Sequence, residues 1–129
     1  VNMFLATDWK LLSQTEVQSP SDRDKGLGPT LRLSKRFDFS HSSMTMSAVV
    51  EHVQTGQRCV YAKGSYEQVV KRCLPSSVPK DCLKQAQALA YSGMYVLGIA
   101  ARVLPEGAPF PATREESEKD LVLLGLLLF

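Results

Sequence analysis

A chain of 129 residues with 44% hydrophobic and 22% charged residues has the composition of a soluble globular protein and is long enough for one core without staples. Its net charge of +2 is too small to argue for nucleic acid or an anionic membrane as a partner. Cys59, Cys73 and Cys82 have no CxxC spacing and no paired histidine, which excludes a disulfide framework and a zinc site. They read as reduced thiols, with Cys59 a small core residue.

The opening residues do not read as a secretory leader. Apolar residues at Met3, Leu5, Ala6, Trp9 and Leu12 have helical spacing, which predicts a helix over 2–12 with Asn2 as its cap. From Ser13 to Thr30 the composition turns polar around Pro20, Gly26, Gly28 and Pro29, and predicts a long loop. Leu31, Leu33, Phe37 and Phe39 alternate as in a half-buried strand, and Met44, Met46, Ala48 and Val50 alternate in a second that runs to about Val53. Thr55-Gly56 is a turn signal, and Arg58 to Ala62 reads as the antiparallel return strand.

Ser65 to Arg72 is expected to be helical, with Ser65 and Gln68 spaced as a capping box. A loop over 73–79 follows. The next helix, over 80–92, has Leu83, Ala86, Leu89 and Ala90 as its apolar face and Gly93 in the C-cap position. Tyr95 to Leu104 reads as a strand, Pro105 to Ala112 as a loop and Thr113 to Lys119 as a short charged helix or turn. The final apolar run, Leu121 to Phe129, has nine residues. That is far short of the about 20 a helix needs to span a bilayer, and it reads as a central strand buried on both faces. Strands, then helices, then strands predict an α+β fold with a twisted, largely antiparallel sheet and helices packed against it.

Most site chemistries find no support. The sequence has no P-loop, GxGxxG, HExxH or GxSxG pattern. His41 and His52 lack metal-ligand partners, and the acidic group Glu115, Glu116, Glu118 and Asp120 reads as a solvated helix face. Neither a catalytic constellation nor a metal site is expected. What remains is Tyr61-Ala62-Lys63-Gly64-Ser65-Tyr66-Glu67, with Phe37-Asp38-Phe39-Ser40 one hairpin upstream. A Lys-Gly pair between strand and helix brings a cation and open backbone together, beside helix N–H groups. Phe39 offers a face for a flat ring, an interaction worth about 1–3 kcal/mol in nucleic-acid systems. On the residues alone, a nucleotide site and an ordinary turn both fit.

These two segments, with Met46-Ser47, resemble the F-x-F-S…M-S and K-G-[AS]-P-E signatures of the nucleotide-binding domain of P-type ATPases. Gly93-Met94-Tyr95-Val96-Leu97-Gly98-Ile99-Ala100 resembles the family's G-x-R-V block. Glu118-Lys119-Asp120-Leu121 through Leu126 resembles its E-x-D-L exit strand. Val1 to Leu11 looks like the K-M-F-E-A-T-G-W segment of type V members, and Cys73 to Asp81 like the C-x-P-x-x-V-P-x-D of their subgroup B, endolysosomal pumps of which some export polyamines into the cytosol.

The resemblance implies a single nucleotide-binding domain over 1–129, cut from a larger membrane ATPase. Such a domain holds adenosine so that ATP can phosphorylate an aspartate in a neighbouring domain. By this resemblance Phe39 stacks on adenine, Ser40 shapes that corner, Lys63 lies deep in the adenosine pocket and Gly64 lines it by backbone. Met46, Glu67 and Tyr95 are pocket-lining candidates, Glu67 fixing the helix start, although Met44 and Met46 read as core first. The implied ligand is ATP, as Mg-ATP in the full-length enzyme. The implied partners are the phosphorylation and actuator domains of the same polypeptide, with no nucleic acid and no membrane contact. The piece itself is expected to be a monomeric, non-catalytic cytosolic domain of an integral membrane protein.

The chain departs from the family pattern at four places. Met44 and Thr45 stand where a Lys or Arg precedes M-S, Tyr95 replaces the Arg of G-x-R-V, Tyr66 the Pro of K-G-S-P-E, and Leu5 the Glu of M-F-E-A-T. Two expected cations are therefore missing, which predicts weak ATP binding. The alternative is a degenerate domain with a structural or regulatory role and little or no nucleotide binding.

Overall fold

The computed structural model describes residues 10–18 and 30–129. Seven strands lie side by side in chain order: β1 (Lys10–Leu11), β2 (Glu16–Gln18), β3 (Thr30–Ser40), β4 (Thr45–His52), β5 (Arg58–Ser65), β6 (Val96–Val103) and β7 (Val122–Leu128). Every neighbouring pair is antiparallel. Three short helices pack on this sheet: α1 (Tyr66–Lys71), α2 (Cys82–Tyr91) and α3 (Arg114–Ser117). An antiparallel sheet with helices against it is the arrangement expected from the order of elements.

The period-2 patterns decide which face the helices cover. On β4, Thr45, Ser47 and Val49 are buried, while Met46, Ala48 and Val50 are only half-buried. Val49, Val60, Ala62 and Ala100 point to the helix side and form the core with Val69 of α1, Cys73, Leu104 and Leu121. Gly98 lets α1 come this close: a Cβ there would lie 2.9 Å from the Val69 Cβ. The opposite face of the sheet carries Met46, Ala48, Tyr61, Lys63 and Ile99, and no described helix covers it.

The structure differs from the sequence reading in five respects. The helix expected over 2–12 falls largely on residues outside those described, and of its last three residues Lys10 and Leu11 pair with β2 as a strand. The polar stretch expected as a loop contains β2, while 19–29 lie outside the described residues. Among the described residues the final apolar strand lies at the edge of the sheet, paired with β6, and Leu124 is 60% exposed. Its fully buried residue is Leu121, one position before it. The buried residues of α2 are Cys82 and Ala86, with Leu89 half-buried and Leu83 and Ala90 exposed. Finally, Ser65 makes no side-chain cap to α1, and Gln68 instead accepts from Arg72.

The turns follow their residues. Gly56 (φ 73°), Gly93 (φ 94°) and Gly107 (φ 76°) hold left-handed positions, and Gly93 terminates α2 as expected. Thr113 caps α3 by accepting from the Glu116 N–H at 3.2 Å, while the Glu116 carboxylate takes the Ala112 N–H at 3.0 Å.

Candidate nucleotide site

Lys63 and Gly64 do not form a strand-to-helix turn; both lie inside β5 and are paired on each side. Met46 of β4 stands opposite Lys63, and Lys63 opposite Ile99 of β6, so the three share the open face in one row across the sheet. The row reaches β3 through a bulge. Phe37 pairs with Ser47 and Ser40 with Thr45, which leaves Asp38 and Phe39 together facing the single position Met46. Phe39 is 48% exposed and sits about 10 Å, two inter-strand spacings, from the Lys63 backbone.

Over β4, β5 and β6 on this face lies an open hollow of about 220 Å³ lined by Met46, Ser47, Ala48, Tyr61, Ala62, Lys63 and Ile99. It is smaller than the roughly 300–1,000 Å³ of a drug-sized ligand pocket, and mostly apolar in lining residues. A larger hollow of about 440 Å³ lies at the far end of the sheet, between the Thr55–Arg58 turn and Val103–Gly107, away from every residue of the row. Arg36 stands opposite Ala48 on the open face and is tied to Asp38 at 2.7 Å. Among the described residues Lys63 has no ion-pair partner, so its ammonium is free to meet a ligand. Cys59 and Tyr61 lie below on the same strand. Burial pushes the Cys59 thiol up, while a hydrogen bond with Tyr61 opposes the rise.

The sequence-predicted residues divide accordingly. Met46 and Lys63 line the hollow; Phe39 is not among its lining residues and stands in the β3 bulge opposite Met46. Ser40 lies at the end of β3, its hydroxyl paired with Ser42 at 2.8 Å and its carbonyl accepting from the Met44 N–H at 2.7 Å. Gly64 is buried on the helix side, where a Cβ would fall 2.3 Å from the Met44 carbonyl oxygen and 2.8 Å from the Thr45 Cα. Its small size therefore admits the β3–β4 turn, and its close approach is to the protein's own chain. Glu67 is exposed in the first turn of α1 beside the Tyr66 hydroxyl. Tyr95 is 79% exposed before β6, paired by backbone with Phe129. Neither of these two lines the hollow. His41 packs edge-on against Phe39 with ring centroids 5.2 Å apart.

The acidic group holds a surprise for sequence reasoning. Glu118 is not a solvated residue: its side chain is fully buried between Arg72 (3.4 Å) and Arg114 (3.0 Å), and it accepts from the Thr45 hydroxyl at 2.7 Å. Arg114 also donates to the carbonyls of Thr45 (2.9 Å) and Asp38. Nothing in the local pattern marks this cluster, because its interacting pairs are 46 to 76 positions apart except for the i,i+4 pair of Arg114 and Glu118. No group of His, Cys, Asp and Glu suited to a metal ion occurs among the described residues.

Residues 31–128 match the family model described as P-type ATPase, cytoplasmic domain N. The chain is 32% identical over 143 aligned positions, covering 99% of it, to the mouse protein named probable cation-transporting ATPase 13A4. It is 38% identical over 97 positions, 72% of the chain, to human polyamine-transporting ATPase 13A2, and 31% over 99 positions to the Caenorhabditis elegans probable cation-transporting ATPase catp-6. It spans only 8 to 12% of the length of these relatives.

Proposed function

Because this chain belongs to the cytoplasmic N-domain family of P-type ATPases, with relatives in the cation- and polyamine-transporting 13A (type V) group, we propose that it holds the adenosine end of ATP. The observation that carries the reading is the row across the sheet. A half-exposed aromatic, an apolar hollow and an unpaired ammonium lie in line on the one face the helices leave open. Phe39 supplies the stacking face, Met46, Ala48 and Ile99 the apolar floor for base and ribose, and Lys63 a cation within reach of a polar ligand atom. Gly64 contributes by letting the β3–β4 turn pack against β5.

The chain contains no D-K-T-G-T motif, so the phosphoryl acceptor belongs to a part of the protein outside these 129 residues. Catalysis of this kind is positioning and electrostatic stabilisation, and a single domain holding the nucleoside end supplies only the positioning. The domain thus presents ATP to the phosphorylation domain of the same polypeptide, in an integral membrane transporter, and does not hydrolyse it alone. A second reading, a domain retained for its structure or regulation, is favoured by one observation: Met44 and Thr45, and Tyr95, occupy the positions of the two missing cations.

Titration of the 129-residue chain with ATP, followed by amide chemical shifts, separates the two. Shifts clustered at Phe39, Met46 and Lys63, with affinity weakened about tenfold or more by Phe39→Ala, are expected from the loss of a stacking face. No response at millimolar ATP sinks the binding reading and leaves the second.

A further inference from the structure

We infer that Arg114 is a positioning residue of this site, holding the Phe39 bulge of β3 against the start of β4 from the far side of the sheet; the inference rests on the nucleotide reading above. A β-bulge leaves part of the ladder unmade, and the carbonyl of Asp38, immediately before Phe39, lies within it. Arg114 supplies a donor there from one guanidinium nitrogen. The other nitrogen donates to the Thr45 carbonyl at 2.9 Å and to Glu118 at 3.0 Å. One planar group therefore joins β3, β4 and the end of α3.

The direction of that group is itself fixed. Glu118 is fully buried, and its second oxygen is taken by the Thr45 hydroxyl at 2.7 Å and Arg72 at 3.4 Å. The Arg114 guanidinium also lies 5.9 Å from the centroid of the Phe37 ring, a further contact with β3. A guanidinium presents several donors in a rigid fork, whereas an ammonium is a compact point charge. Lysine at 114 keeps the charge beside Glu118 but cannot serve Asp38 and Thr45 at once. The bulge then relaxes, and with it the angle at which Phe39 meets a base.

Arg114→Lys is compared with Val69→Ala, a core truncation that lowers stability without touching the row. ATP affinity is measured by amide-shift titration, and hydrogen exchange is followed at Asp38, Phe39 and Ser40. Arg114→Lys is expected to weaken ATP about tenfold and to speed exchange at these three amides. Val69→Ala, despite an equal or larger loss of stability, leaves both unchanged. Wild-type affinity in Arg114→Lys, or equal weakening in both variants, overturns the inference. Should Arg114→Lys not fold, Glu118→Gln, which keeps the shape and removes the charge that orients Arg114, carries the same comparison. If the wild-type chain takes no ATP, the nucleotide reading fails by itself, and exchange at the bulge still decides the positioning role.

Discussion

At the scale of single residues, burial decides more than chemical type. Cys73 has no cysteine chemistry to perform: it lies in the core with Val69 and Leu121, and burial pushes its thiol above the ordinary value of 9.0, with Cys82 adding to the rise. The fold favours the protonated thiol, so the stability it contributes is complete below pH 9.0 and is lost as pH climbs through the higher folded value. Cys59 and Tyr61 shift in the same direction for the same leading reason. The melting temperature is expected to decline above pH 9, and Cys73→Ala to make that decline shallower. Identical slopes in the two proteins rule the mechanism out. Gly64 carries a similar lesson. Its smallness was readable from the sequence as a close approach, but whether a ligand or the chain itself makes that approach depended on where the β3–β4 turn comes to rest.

At the scale of elements, alternation made β3 and β4 legible, because one face of each meets the core and the other does not, while β5 followed from the Thr55-Gly56 turn signal and β6 from its Val, Leu and Ile content. Position within the sheet was not legible. An unbroken run such as Val122–Leu128 has the composition of a central strand, yet the chain order of the sheet puts it at the edge. The consequence is specific. Leu121, fully buried just outside the strand, is expected to cost about 2–5 kcal/mol on replacement by alanine. Leu124→Lys, at a position 60% exposed, is expected to change stability by no more than about 0.5 kcal/mol. Urea unfolding of the two variants tests the assignment, and a large loss from Leu124→Lys contradicts an edge position. The β3 bulge was equally hidden. It depends on pairing with β4 and on an arginine more than 70 residues downstream, and a local pattern contains neither.

At the scale of the whole molecule, the distribution of charge sets what the site can grip. The arginines at the site end of the sheet are committed: Arg72 and Arg114 to Glu118, Arg36 to Asp38. Among the described residues Lys63 is the cation left lining the hollow, so the phosphates of ATP are expected to gain little beyond what adenosine already gains. AMP and ATP are therefore expected to bind this chain with affinities within about threefold of each other, since each further charge-assisted hydrogen bond is worth about 1.5–3 kcal/mol and none is supplied. Met44 is the place to restore one. It is 41% exposed, and its carbonyl accepts from the Ser65 N–H at 3.0 Å, which puts it beside the end of β5 that carries Lys63 and Gly64. Its left-handed φ of 56° is as costly for methionine as for lysine, so Met44→Lys adds a charge without a new backbone penalty. That variant is expected to prefer ATP over AMP by about tenfold. Calorimetric titration with both nucleotides reads the ratio directly. A wild-type chain that already prefers ATP tenfold has a second phosphate contact this charge distribution does not contain, and a Met44→Lys chain with an unchanged ratio places residue 44 out of reach of the phosphates.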